Sequence, residues 1–208
     1  MAHGVWIYFR FPLSLCLVED MLPERGIVVS REPIRRWAMK FGPDHAWRLK
    51  RKVPGRYVTW HLDDDVISIA GEKRSLWRAV DQDGYVLDEI VQVHRNTKAA
   101  MLLLRRLLGR QGRGLRPMIT DKLGPCAAAR RKLMPDFDHR SHKGLNSRAG
   151  NSHVPLRKRD NIMQGFRSWR GVQRFAEVFS TFRNPFVPHR PSRQSAIVCQ
   201  SASNWDPE

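Results

Sequence analysis

The chain has 208 residues, 41% apolar and 9% aromatic. That is enough for one mid-sized domain with a buried core and excludes a globally disordered protein. Lys and Arg outnumber Asp and Glu by 37 to 20, a net charge of +17 that points to a polyanionic partner, DNA or RNA. No apolar run approaches the length of a membrane span. The stretch Val5-Trp6-Ile7-Tyr8-Phe9 is too short and too aromatic for a secretory leader, and no small-residue cleavage site follows it. Cys16, Cys126 and Cys199 are odd in number, far apart and free of any CxxC spacing. A disulfide framework and a thiolate zinc site are therefore not expected, and a reducing compartment is. The charge is uneven. Residues 1–56 carry 11 basic and 5 acidic side chains, residues 57–125 carry 11 and 9, and residues 126–208 carry 15 and 6. A nearly neutral, acid-containing middle between basic flanks suits an enzyme that sets metal ions against DNA better than a purely basic binder.

In chain order, the spacing of Leu13, Leu17, Val18, Met21 and Leu22 predicts a helix over 12–25, stopped by Gly26. Ser30 is a good cap for a second helix, with Glu32 and Pro33 in its first turn. Ile34, Trp37, Ala38 and Phe41 form its apolar stripe, and Gly42-Pro43 should end it. Arg31, Arg35, Arg36 and Lys40 lie off that stripe. The pair is either a helix-turn-helix with a recognition helix for a major groove or a helical hairpin with a solvated basic face. Residues 48–56 read as a basic linker. Strands are predicted over Tyr57–Ala70, Ser75–Val80 and Tyr85–Val93, the last after an Asp83-Gly84 turn. An apolar helix follows over Thr97–Leu108, closed by Gly109. Then come a short strand at Arg116–Thr120, a helix at Ala127–Met134, a strand at Phe137–His142 and one long helix from about Asn151 past Phe166. This order is that of an α/β domain with an RNase H-like core. The tail from Asn184 is rich in Pro, Ser and Arg and is expected to be poorly ordered.

Three consecutive carboxylates, Asp63, Asp64 and Asp65, sit inside the first predicted strand, where Asp is disfavoured and like charges repel. Alternation puts Asp63 and Asp65 on one face and Asp64 on the other. Asp121 closes the short strand Pro117–Thr120. Alone, the triple Asp reads as a surface turn. With Asp121 at the matching strand end, the two positions meet and can hold a hard cation, Mg²⁺ or Mn²⁺, for phosphodiester chemistry. Asp136 and Asp138 precede the fifth strand, off its metal-facing position. His139 and His142 with His153 lack the paired cysteines of a zinc site and favour a structural or positioning role. Trp60 and Trp77 read as core residues. Arg157-Lys158-Arg159 on the last helix contacts a DNA backbone or forms a solvated face.

Four motifs are more specific: Trp60-His61-Leu62-Asp63; Leu76-Trp77-Arg78-Ala79-Val80-Asp81-Gln82-Asp83-Gly84; Met118-Ile119-Thr120-Asp121-Lys122-Leu123-Gly124; and His139-Arg140 through His142-Lys143-Gly144-Leu145-Asn146 to Arg148-Ala149. Together they resemble the bacterial insertion-sequence transposases of family six, which have a DDE integrase-type core, from about Val5 to at least Phe182. Phe11-Pro12-Leu13-Ser14-Leu15 and Arg35-Arg36-Trp37 match that family's helix-turn-helix. The resemblance implies an α/β, RNase H-like catalytic core over 57–183, behind a DNA-binding helix-turn-helix over 1–47. It also implies dependence on Mg²⁺ or Mn²⁺, recognition of double-stranded DNA at terminal inverted repeats, assembly as a homo-oligomer on that DNA, and a bacterial cytoplasmic, nucleoid-associated location without membrane contact.

Carried over by position, Asp63 is the first catalytic acid and Asp121 the second. Arg31, Arg35, Arg36, Lys40, Arg157, Lys158 and Arg159 are DNA contacts. The third acid is a Glu at the place where this chain has Gly150. Asp160 lies nearly three helical turns further on, about 15 Å away, and cannot stand in. Asp64 in place of the usual Glu, Pro125-Cys126, and Pro33 in the recognition helix are further departures. The resemblance also implies additional residues before Val5, and Asn204–Glu208 lies outside it. The expectation is a transposase fold with impaired catalysis; the alternative is an inactive remnant that only binds DNA.

Overall fold

The computed structural model describes residues 1–52, 59–111, 117–121, 124–135, 139–141 and 146–187. Five strands form one mixed sheet in the order β3-β2-β1-β4-β5. β1 (Trp60–Ile69), β2 (Glu72–Val80) and β3 (Val86–Gln92) are antiparallel; β4 (Met118–Thr120) and β5 (His139–Ser141) run parallel to β1. Three N-terminal helices precede the sheet: α1 (Ala2–Arg10), α2 (Leu15–Met21) and α3 (Arg31–Lys52). α4 (Thr97–Gln111) and α5 (Gly124–Leu133) flank β4, and α6 (Ser147–Ile162) and α7 (Trp169–Arg183) follow β5. The predicted succession of three strands, helix, strand, helix and strand is therefore observed, in an α/β architecture. None of the described helices is long and apolar enough to cross a membrane.

The alternation of β1 separates two cores. Its even residues Trp60 and Leu62 join Trp77, Ile90, Leu103, Leu104, Leu107, Met118 and Ala129 on the face covered by α4 and α5. Trp60 and Trp77 are fully buried, as expected of core residues. Its odd residues Ile67 and Ile69 join the opposite core, which collects α1, α2, α3, α6 and α7 through Val5, Phe9, Val18, Ile34, Leu156 and Phe179. The first three helices thus share a core with α7 and the sheet instead of enclosing one of their own.

Four elements differ from the sequence reading. α1 is an additional helix, apolar on most of its circumference because it is buried on several sides. α3 does not stop at Gly42-Pro43 but runs on to Lys52, so residues 48–52 of the expected linker are helical and the remainder lies outside the described residues. Gly42 is not a stop signal. A Cβ built on it would come within 2.9 Å of the Phe9 ring, so α1 and α3 approach closely there, while Pro43 points to solvent. Gly42→Ala is expected to cost about 1–3 kcal/mol by overpacking, readable as a lowered urea midpoint with an unchanged m value. α4 likewise passes through solvent-facing Gly109. The long final helix is two helices: Gln164 (φ 59°) and Gly165 (φ 90°) reverse the chain after α6, and Phe166 bridges to Ile69 before α7 starts. Arg116, Lys122, Phe137, Asp136, Asp138 and His142, and the tail beyond residue 187, lie outside the described residues.

Candidate active site

Asp63 lies on the odd face of β1, beneath α6. The parallel register pairs Leu62 with Thr120, and Asp121 is the next residue, so Asp63 within β1 and Asp121 just past β4 stand at the same level. Neighbouring strands are about 4.8 Å apart, which brings the two predicted acids together. Burial, and then the like charges of Asp64, Asp121 and Asp65, push the Asp63 carboxyl up to about 6, against a stabilising backbone hydrogen bond. Among the described residues neither Asp63 nor Asp121 forms an ion pair with an Arg or Lys side chain. The other two carboxylates of the triple are neutralised. Asp64, on the opposite face, is bound by Arg95 at 2.8 Å. Burial opposes the Asp65 charge, but the Arg157 guanidinium, which donates to both its oxygens, holds it below its ordinary value.

α6 roofs this pair. Its start is tied to β1 by Asn146, whose buried amide Nδ2 donates to the Leu62 carbonyl at 2.9 Å. Position 150 then falls directly over the first acid: a Cβ built on Gly150 would stand 3.5 Å from Asp63 Oδ2, an ordinary contact. One turn on, His153 is buried with Nε2 3.9 Å from Asp63 Oδ2 and Nδ1 4.0 Å from Asp65 Oδ2. Burial and the nearby Arg78 charge lower its pKa to about 3, so the ring is neutral at pH 7. His153 matters more to the site than its spacing suggested. Its signal was its place one helical turn after position 150.

The donor set suits a hard divalent cation. Two carboxylates without an Arg or Lys partner meet, Asp63 within β1 and Asp121 just past the end of β4, and their mutual repulsion is what a cation would relieve. The set is also short, because among the described residues no group of three His, Cys, Asp or Glu side chains is arranged to hold a metal. Gly150, over Asp63, brings no side-chain ligand atom to this place.

The basic residues divide differently from expectation. Arg31, Arg35, Arg36 and Lys40 are all exposed along the first three turns of α3. Glu32 bridges Arg35 at 2.7 Å and Arg36 at 3.1 Å, which offsets part of their charge. Lys158 is exposed, and Arg157 reaches solvent although it holds Asp65. Arg159 is corrected: it is 0% exposed, its Nη1 donates to the Phe11 and Leu13 carbonyls, and its guanidinium stacks on Tyr8 at 4.1 Å. It ties α6 to the segment between α1 and α2 and presents nothing to a DNA backbone. The run Arg157-Lys158-Arg159 gave no hint of this, because consecutive helical residues point 100° apart and only two of them face water.

A family profile described as a DDE domain matches residues 57–189, more than half of the chain. The transposase for insertion sequence-like element IS431mec of Staphylococcus aureus is 29% identical over 162 residues, 74% of this chain and 72% of the relative. The transposase for insertion sequence element IS257 in transposon Tn4003, also from Staphylococcus aureus, is 28% identical over the same length. Among solved structures, a simian T-cell lymphotropic virus intasome in complex with PP2A regulatory subunit B56 gamma matches with a TM-score of 0.44 and 15% identity, over 64% of this chain and 56% of that one. The catalytic core domain of BIV integrase matches with a TM-score of 0.38 and 14% identity, over 61% and 81%. On the extent of the family match, the chain belongs to the DDE-domain family of bacterial insertion-sequence transposases.

Proposed function

We propose that the protein is a family-six transposase with an RNase H-like core whose chemistry is metal-dependent cleavage and strand transfer of DNA at the terminal inverted repeats of an insertion sequence, and that Gly150 impairs it. Asp63 and Asp121 are the carboxylates that hold Mg²⁺ or Mn²⁺. A cation bound there polarises the scissile phosphodiester and stabilises the departing oxygen. Neutral His153, on the roofing helix α6, borders the site and adds no competing positive charge. Arg157 holds Asp65 out of the ligand set, and with Lys158 it presents positive charge to the strand. The basic edge of α3, with Arg31, Arg35, Arg36 and Lys40, meets the duplex in the helix-turn-helix reading, within the DNA-binding unit of residues 1–47. The core of residues 57–183 performs the reaction, in a homo-oligomer assembled on the DNA.

One observation carries the impairment: position 150 lies over Asp63, where a Cβ would stand 3.5 Å from Oδ2, and its glycine offers no ligand atom. The same observation favours the second reading, a remnant that binds transposon ends without cutting them. A cleavage and strand-transfer assay on a transposon-end duplex, with Mg²⁺ and then Mn²⁺, separates them. The parent protein is expected to be nearly silent. Gly150→Glu is expected to raise the rate by about 100-fold or more, about 2.7 kcal/mol in transition-state stabilisation, and Asp121→Ala in that background should abolish the gain. A Gly150→Glu protein that binds the end and cuts nothing establishes the remnant reading instead.

A further inference from the structure

A cavity of about 310 Å³ opens between the first turns of α6, the last turns of α7 and the β2–β3 turn. Ser147, Asn151 and Pro155 line it from α6, on the opposite side of that helix from Gly150, His153 and Arg157. Its floor is Arg78, the cross-strand partner of Asp63. The cavity and the acid pair therefore lie on either side of α6 above one rung of the sheet.

Two arginines, Arg78 and Arg183, and one carboxylate, Asp83, line the cavity. Arg183 enters it with no carboxylate partner among the described residues; its guanidinium only rests on the Phe179 ring at 5.8 Å. Burial, then repulsion by Arg78 and Arg10, lower its pKa to about 10. Arg78 is already committed: it donates to Glu89 and to the Ser152 carbonyl. The wall also holds Ser180, a residue 6% exposed. Ser147 is the first residue of α6, so the positive end of that 16-residue helix opens here too. The cavity's carboxylate, Asp83, sits on the turn, where it accepts from Gln82 at 3.4 Å. An unpaired guanidinium, a serine hydroxyl and a helix start facing one hollow suit a small oxyanion.

We propose that this cavity is a phosphate subsite that takes a backbone phosphate of the bound DNA strand, gripped by Arg183 with Ser180, Ser147 and Asn151 as donors. The assignment of the phosphate to DNA rests on the DNA-processing function proposed above. The site's placement across α6 from Asp63 would let it fix the strand's register relative to the acids. Such a contact positions DNA without reading its sequence.

The test uses the full chain, the Arg183→Met variant and two readouts. Thermal unfolding is followed with and without inorganic phosphate, and binding of a transposon-end duplex is followed across a salt series. Phosphate is expected to raise the Tm of the parent and leave Arg183→Met unmoved. The variant, relieved of a buried and repelled charge, should start at a Tm no lower than the parent's. Its duplex affinity should fall about 3–10-fold, with the salt dependence shallower by about one phosphate contact. Asn151→Ala, exposed at the rim, should show the same changes at smaller size and serves if Arg183→Met does not fold. An unchanged phosphate response in Arg183→Met, or an unchanged salt slope for duplex binding, overturns the proposal. If neither protein binds duplex while phosphate still stabilises only the parent, the DNA function fails, and with it the assignment to a strand; the cavity is then a site for a free oxyanion.

Discussion

Replacing Arg78 by Met is expected to destabilise the protein by about 3–5 kcal/mol, because it strands a buried carboxylate. Arg78 and Glu89 are paired at 2.6 Å with both side chains 2% exposed. The arginine also donates to the Ser152 carbonyl, so one side chain connects β2, β3 and α6. Removing it leaves Glu89 without a countercharge, and Glu89 already has one oxygen with no hydrogen bond. The double change Arg78→Met with Glu89→Leu should restore most of the loss, since an apolar pair of similar volume carries no desolvation cost. Urea denaturation of the single and double variants checks this. A single variant within about 1 kcal/mol of the parent would mean that water reaches the pair.

Phe9→Ala is expected to cost a similar amount, about 3–5 kcal/mol, and to do so for the whole molecule. Phe9 stacks on Phe182 of α7 at 5.2 Å and lies 5.7 Å from Phe175, as well as against Gly42 of α3. A large aromatic lost from that junction leaves a cavity between α1, α3 and α7. One cooperative unfolding transition, shifted downward as a unit, is the expected result by both fluorescence and far-UV circular dichroism. Two transitions, with only the earlier one shifted, would show instead that the basic helices form an independent unit.

Much of the candidate site was legible in the sequence because it depends on local periodicity. The alternation of Trp60 to Ile69 sorts the three aspartates onto two faces, and the structure gives Asp64 to Arg95 on one side and Asp63 to α6 on the other. The short strand ending at Asp121 pairs with β1 in the register that matches the two acids. What stayed hidden depends on contacts between residues far apart in the chain. Gly42 has the sequence context of a helix stop, yet it is small because Phe9, 33 positions earlier, presses against it. Arg159 looks like one more basic residue on a polar helix. Only the packing of α6 on the segment between α1 and α2 turns it inward onto the Phe11 and Leu13 carbonyls. α1 carries apolar residues on most of its faces, and such a stretch reveals burial without revealing helix. The break after α6 is set by two left-handed residues, and Gln164 is not one whose identity announces such a conformation.

The pairing of Asp63 with position 150 is the centre of this account, and it implies that the ligand set is missing one member. Titration of Mn²⁺ into the protein, followed by calorimetry and by the loss of the free-ion paramagnetic resonance signal, tests that pairing without requiring a cognate transposon end. The parent is expected to bind at most one ion, weakly. Gly150→Glu is expected to bind two, with the first tightened by about 100-fold, about 2.7 kcal/mol, and Asp63→Asn in the Gly150→Glu background should remove both. Equal stoichiometry and affinity in the parent and Gly150→Glu would contradict the account, because position 150 would then not belong to the metal site.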